Sequence, residues 1–180
     1  MQRITDPDRL QAVVGLRDAA ADGPYDLRAE WLSATGSFVL AQEAASRIDP
    51  DQIERIIRAS AVHGIGGYIA VSNDDAFVDP TTMAFEVDVT QSELHACSDE
   101  FFGLNMMLLA PDHAVALLST VDDYSILAGP RAFILGYEPD IDRALEEFRS
   151  FALQQIESLR PAALRALETF ESRLPTRSVD

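Results

Sequence analysis

Cys97, the single cysteine of this 180-residue chain, stands two residues from His95, and His63 and His113 complete the histidines. A thiol beside an imidazole base is the chemistry of a nucleophile, and His, Cys and carboxylate ligands together are that of a zinc site. Both need side chains that converge. Thr90-Gln91-Ser92-Glu93 has the form of a capping box, so a short helix should follow it. Residues two apart on a helix point in different directions: Cys97 falls on the apolar side with Leu94 and Phe101, and His95 falls nearer the solvent. A buried, structural cysteine is the expectation. Three histidines scattered over fifty residues lack metal-ligand spacing, so no catalytic residue, metal site or cofactor is assigned.

The run His63-Gly64-Ile65-Gly66-Gly67 has the composition of a phosphate-binding loop but the wrong order. A phosphate cradle leads from a strand into a helix N-terminus, whereas these glycines lead out of a helix into a strand. Asn73-Asp74-Asp75 with Asp79 offers oxygens to a hard cation, yet lacks the closing Glu of a calcium loop; an acidic turn is the simpler reading. Asp122-Asp123-Tyr124 and Arg131 stand at opposite ends of one expected strand, too far apart for a single acid–base site.

The distribution of charge is the strongest signal left. The chain carries 30 acidic and 14 basic residues for a net −16, and every basic residue is arginine. Residues 59–130 contain eleven acids and no arginine, while the segments on either side are nearly balanced. A basic-free stretch of this kind keeps a protein soluble; it also sets up a negative field that speeds encounter with a basic partner and rejects anionic ones. The expected function is a non-enzymatic, acidic binding protein, an inhibitor of the immunity or antitoxin kind that covers a basic protein. Its candidate contacts are Asp74, Asp75, Asp79, Glu86, Asp88, Asp122 and Asp123. The alternative is a small-molecule or enzymatic site in a crevice between sheet and helices, with Trp31, Tyr68, Met106 and Tyr124 as its lining. Trp31, one turn after Leu27, reads more simply as core.

The elements that must position these residues follow from punctuation and period. Asp6-Pro7 and Asp49-Pro50 each place a capping oxygen before a proline at the first helical position, the second with Gln52 completing a capping-box-like arrangement. Leu27 and Trp31 suggest a helix opened by Asp22-Gly23-Pro24, and Phe38, Ala41, Ala45 and Ile48 share one face at helical spacing. From Gly66 the period becomes two: strands are expected over 67–72, 83–89, 105–110, 114–120 and 124–128, the last three with connections short enough to force antiparallel neighbours. Helix returns over 130–136, from Pro139 with Ile141, Leu145, Phe148, Ala152 and Ile156 inward, and from Pro161 with Ala163, Leu167, Phe170 and Leu174.

The result is a single α+β domain over 1–180: residues 1–64 helical, 65–129 mainly an antiparallel sheet of about five strands with one inserted short helix, and 130–180 helices packed back on the sheet. The stretch from Phe101 to Ile134 reads like the sheet-then-helix end of many small bacterial proteins. The charge argues against nucleic acid and against anionic membrane as partners, since phosphate binding draws on Lys and Arg. No apolar run of about 20 residues exists, and the N-terminus lacks the apolar stretch of a signal peptide. With one cysteine, a reducing cytoplasm is the expected compartment. Leu167, Phe170 and Leu174 also raise homo-oligomerisation through the C-terminal helices.

Overall fold

The central meander forms as its short connections require. In a computed structural model, which describes residues 1–45, 47–74 and 82–175, β5 (Met106–Ala110), β6 (Val115–Ser119) and β7 (Tyr124–Gly129) pair antiparallel in sequence order. All three are buried along their whole length, which is why they read as continuous apolar runs rather than as alternation. A single turn of 3₁₀ helix at Pro111–His113 makes the first connection. β3 (Gly67–Ser72) pairs with β5 on one side and with β4 (Ala84–Asp88) on the other, so α4 (Gln91–Glu100) carries the chain across β3.

Among the described residues the sheet has seven strands, two more than the periodicity suggests, in the order β1-β4-β3-β5-β6-β7-β2. β1 is only Gln2–Arg3, too short to carry a pattern. β2 is Phe38–Glu43, and here the helical expectation for Phe38 and Ala41 is overturned. Val39, Leu40 and Ala41 are all fully buried, because β2 pairs with β7 and helices cover both of its faces. A strand buried on two sides shows no alternation, and its apolar residues mimic helical spacing by chance. Residues 1–64 are therefore not wholly helical. The helix expected around Leu27 and Trp31 starts later, as α2 (Ala29–Thr35), with Leu27 bridged to Ala21 ahead of it.

Three N-cap signals hold, although the box at Thr90 is only half made, the Glu93 carboxylate accepting from the Asp88 N–H instead of that of Thr90. Asp6 accepts from Arg9 at the start of α1 (Pro7–Ala20), Asp49 and Gln52 form a complete capping box on α3 (Pro50–His63), and Thr90 accepts from Glu93 on α4. Gly64 ends α3 in the left-handed conformation, as a cap rather than a phosphate loop does. After β7 come α5 (Arg131–Tyr137), α6 (Ile141–Gln154) and α7 (Arg160–Ser172).

Register divides the side chains between two helical layers. Tyr68, Met106, Leu117 and Leu127 lie on one face, against α3, α4 and α5: Tyr68 Oη meets Ser60 Oγ at 2.7 Å, and Phe85 packs edge-on against Phe101. Gly129 is on this face too. A Cβ there would stand 3.1 Å from both Phe133 and Val115, so a larger residue would push these side chains back by a few tenths of an ångström where α5 closes down on the sheet. The opposite face carries Val71, Met107, Ile126 and Tyr124 and is covered by α1, α6 and α7, with α2 packed against α1. Arg9 of α1 pairs with Glu86 there, and Phe148 and Phe151 of α6 pack on Tyr124. The core is thus two apolar layers, one on each side of the sheet. Leu167 and Phe170 are buried in it, so this chain's own core covers most of the apolar face that suggested oligomerisation. No helix among the described residues is long and apolar enough to cross a membrane.

Candidate functional site

One end of the sheet gathers the acids. β3 ends there, β5 begins there, and β6 turns there into β7, so Asn73-Asp74, Asn105 and Val121-Asp122-Asp123 become neighbours although up to fifty residues separate them. Asn105, 2% exposed, is the junction. Its backbone N–H donates to Asp74 Oδ2 at 2.7 Å, its side-chain amide donates to Asp74 Oδ1, and its own Oδ1 accepts the Val121 N–H at 2.9 Å. The loop between α1 and α2 lies against this end: Asn73 Nδ2 donates to Gly23 O at 2.9 Å and Tyr124 Oη to Tyr25 O at 3.0 Å.

The electrostatics follow from that crowding. Partial burial, with the Asp123 charge next in importance, pushes the Asp122 carboxyl above the usual carboxylate range. Burial raises the Tyr25 hydroxyl, and the negative charges of Asp122 and then Asp74 raise it further. Burial also raises Asp26, although Arg165 Nε lies 3.3 Å from its Oδ2. Asp123 is exposed and holds φ 60°, a left-handed conformation that Asp tolerates better than most residues. Among the described residues, no ion pair involves Asp74, Asp122 or Asp123.

The acidic candidates therefore divide. Asp74, Asp122 and Asp123 come together. Glu86 lies along β4, paired with Arg9, and Asp88 lies at the far end of that strand opposite Gly67. Asp75 and Asp79 lie outside the described residues.

The four residues expected to line a crevice do not meet. Met106 is in register with Ser119, and Ser119 with Ser125, so Tyr124 points to the opposite face from Met106 and Tyr68. Each has a structural partner of its own. Tyr68 is bonded to Ser60, and burial pushes its hydroxyl up to about 12. Met106 receives the Cys97 thiol at 3.6 Å. Tyr124 is covered by Phe148 and Phe151, and Trp31 sits half-buried on α2. Cys97 is fully buried, its thiol pushed up to about 12 by burial, while His95 is exposed on another side of α4. His63 packs edge-on against Phe133. No group of three His, Cys, Asp or Glu side chains among the described residues has the geometry of a metal site.

A groove that the sequence does not announce runs along the β2 side of the molecule. It has a volume of about 710 Å³ between α3, which supplies Asp51, Glu54, Arg55 and Arg58, and the start of α6, which supplies Arg143 and Glu147. Gln42 and Tyr137 also line it, with Gln42 Nε2 donating to Tyr137 Oη at 2.7 Å and Arg55 stacked over the Tyr137 ring. A second hollow of about 630 Å³ shares Glu43 and Glu147 with it and reaches Asp123 of the acidic turn. The residues of the larger groove come from four separate segments with no motif in any of them; only the helical cap Asp49-Pro50, which fixes where α3 begins, was a usable signal. Comparison with protein-family models, with curated proteins and with solved structures returned no match.

Proposed function

We propose that this protein is a non-enzymatic binding protein that meets a basic partner protein through the acidic end of its sheet, as an inhibitor of the immunity or antitoxin kind would. The observation that carries the reading is the convergence of Asp74, Asp122 and Asp123 on one sheet end, without an ion pair among the described residues to neutralise them. Holding like charges together is unfavourable in the free protein. A guanidinium or ammonium brought to Asp122 and Asp123 relieves that repulsion, so part of the association energy is stored at the site beforehand. The Asn105 junction adds rigidity, which lowers the ordering cost of binding. Asp123 gives the field an exposed tip.

The test is capture of a partner by the immobilised chain from extracts of its source cells, followed by elution with rising salt. The reading expects a protein with a basic surface, released as ionic strength shortens the Debye length from about 10 Å at 0.1 M. Absence of a captured protein, or retention indifferent to salt, would count against it.

A further inference from the structure

The groove between α3 and α6 holds two arginines in very different states of engagement from a third. Arg58 is committed: its Nε donates to Gly136 O and its Nη2 to Tyr137 O, both at 2.9 Å, so it pins α5 to α3. Arg55 and Arg143 are held more loosely: Arg55 Nε donates to Asp51 O only at 3.4 Å, and its guanidinium lies over the Tyr137 ring. Their nearest carboxylate atom is the same one, Glu138 Oε2, at 3.5 Å from each. Arg143 reaches Asp140 only at 3.8 Å and Glu147 only at 3.7 Å. Charge-assisted N–H···O bonds close to about 2.7–2.9 Å when they can. Here they do not: the other oxygen of Glu138 accepts from the Asp140 N–H at 2.9 Å, which holds the carboxylate away from both forks. Two guanidiniums, each with five donors, thus share one oxygen at long range, and none of their ion pairs closes below 3.5 Å.

The same groove offers the opposite charge as well. Glu43, Asp51 and Glu54 line it, and none of the three carboxylates makes a hydrogen bond or ion pair with any described residue. Its volume is within the 300–1,000 Å³ or so typical of small-molecule sites. A plain anion would meet Arg55 and Arg143 but also these carboxylates; a plain cation would meet the carboxylates but also the arginines.

We propose that the groove binds a small zwitterion, a molecule carrying a carboxylate and an ammonium group such as an amino acid or a short peptide with free ends. Its carboxylate bridges the forks of Arg55 and Arg143, and its ammonium lies toward Glu43 and Glu147, with the Tyr137–Gln42 pair as a polar floor. This site is separate from the acidic sheet end in its wall-forming arginines, and it stands or falls independently of the partner reading.

Calorimetric titration of the full chain tests it with the twenty common amino acids and the dipeptide Gly-Phe, each at millimolar concentration. Gly-Phe is then compared with its N-acetyl form, an anion, and its C-terminal amide, a cation. The proposal expects at least one zwitterion to bind. Blocking either end of Gly-Phe, or of the best amino acid, should weaken binding about tenfold or more. Arg143→Gln and Glu43→Gln, both at exposed positions, should each do the same while leaving the melting temperature near that of the parent. Binding of free amino acids without Gly-Phe would assign the groove to single amino acids, and the reverse to peptide ends. The proposal is overturned if no zwitterion binds, if the anion or the cation binds as tightly as the zwitterion, or if neither substitution changes the affinity.

Discussion

Asn105 grips both carboxylate oxygens of Asp74, one with its backbone N–H and one with its side-chain amide, while its remaining oxygen holds the Val121 N–H. Because β5 lies between β3 and β6, this one side chain fastens the end of β3 to the turn that presents Asp122 and Asp123. Replacing it by alanine removes the acceptor of the Val121 N–H and one of the two donors to Asp74. Asn105→Ala should therefore lower stability by about 2–4 kcal/mol, the scale of losing two bonds with one ionised partner. Urea denaturation measures this; a loss below about 1 kcal/mol would mean that water replaces the junction.

The turn itself is strained in a way that glycine would relieve. Asp123 holds φ 60°, which costs an L-residue roughly 1 kcal/mol or more relative to glycine. Asp123→Gly should raise stability by about 0.5–1 kcal/mol and should at the same time weaken partner binding by deleting an exposed charge. Opposite signs for the two effects separate a residue kept for binding from one kept for folding. A destabilised variant would contradict this account of the turn.

Asp122 predicts a direction in the pH dependence of stability. Its carboxyl titrates above the ordinary range in the folded chain, so the folded state holds the proton more tightly than the unfolded one. Stability from this group therefore falls as pH rises from the ordinary carboxylate value through the raised one, and the deficit is fully present above the raised value. Asp122→Asn should be more stable than the parent at pH 7, with the difference shrinking as pH drops toward the ordinary value. Thermal melts across that range decide it, and a difference that does not vary with pH would contradict the cause assigned.

Cys97 should behave as an inert core residue. Buried between α4 and the sheet with its thiol raised to about 12, it presents almost no thiolate near neutral pH. A thiol reagent should label it at the rate of unfolding and no faster, and labelling should accelerate in urea in step with the loss of secondary structure. Rapid stoichiometric labelling of the native protein would contradict its placement.

What the sequence made legible is what neighbouring residues decide. Asp49 with Pro50 and Gln52, Thr90 with Glu93, and Gly64 each specify a helix end through contacts within four residues, and each recurs in the structure. The short turns at Pro111–His113 and Val121–Asp123 likewise force the β5-β6-β7 meander. β2 was illegible because both its faces are covered, a circumstance set by α5, α6 and β7 from eighty or more residues away. The acid cluster was half legible: the charge count singled out Asp74, Asp75, Asp79, Glu86, Asp88, Asp122 and Asp123 alike, but only register shows that Asp74, Asp122 and Asp123 share a sheet end. Met106 and Tyr124 failed as a pair for the same reason, since a difference of one residue in register sends a side chain to the other face. Apart from the Asp49-Pro50 cap that fixes where α3 begins, the α3–α6 groove had no local signature, because its arginines at 55 and 143 are brought together only by packing.

The most direct measurement is the affinity of the captured partner for the parent chain and for the double variant Asp122→Asn, Asp123→Asn, each over a series of salt concentrations. A partner held at the acidic sheet end should bind the variant at least tenfold more weakly at low salt and with a shallower dependence on salt, the two curves converging as the charges are screened. Equal affinities and parallel salt curves would contradict the account and place the partner elsewhere on the molecule.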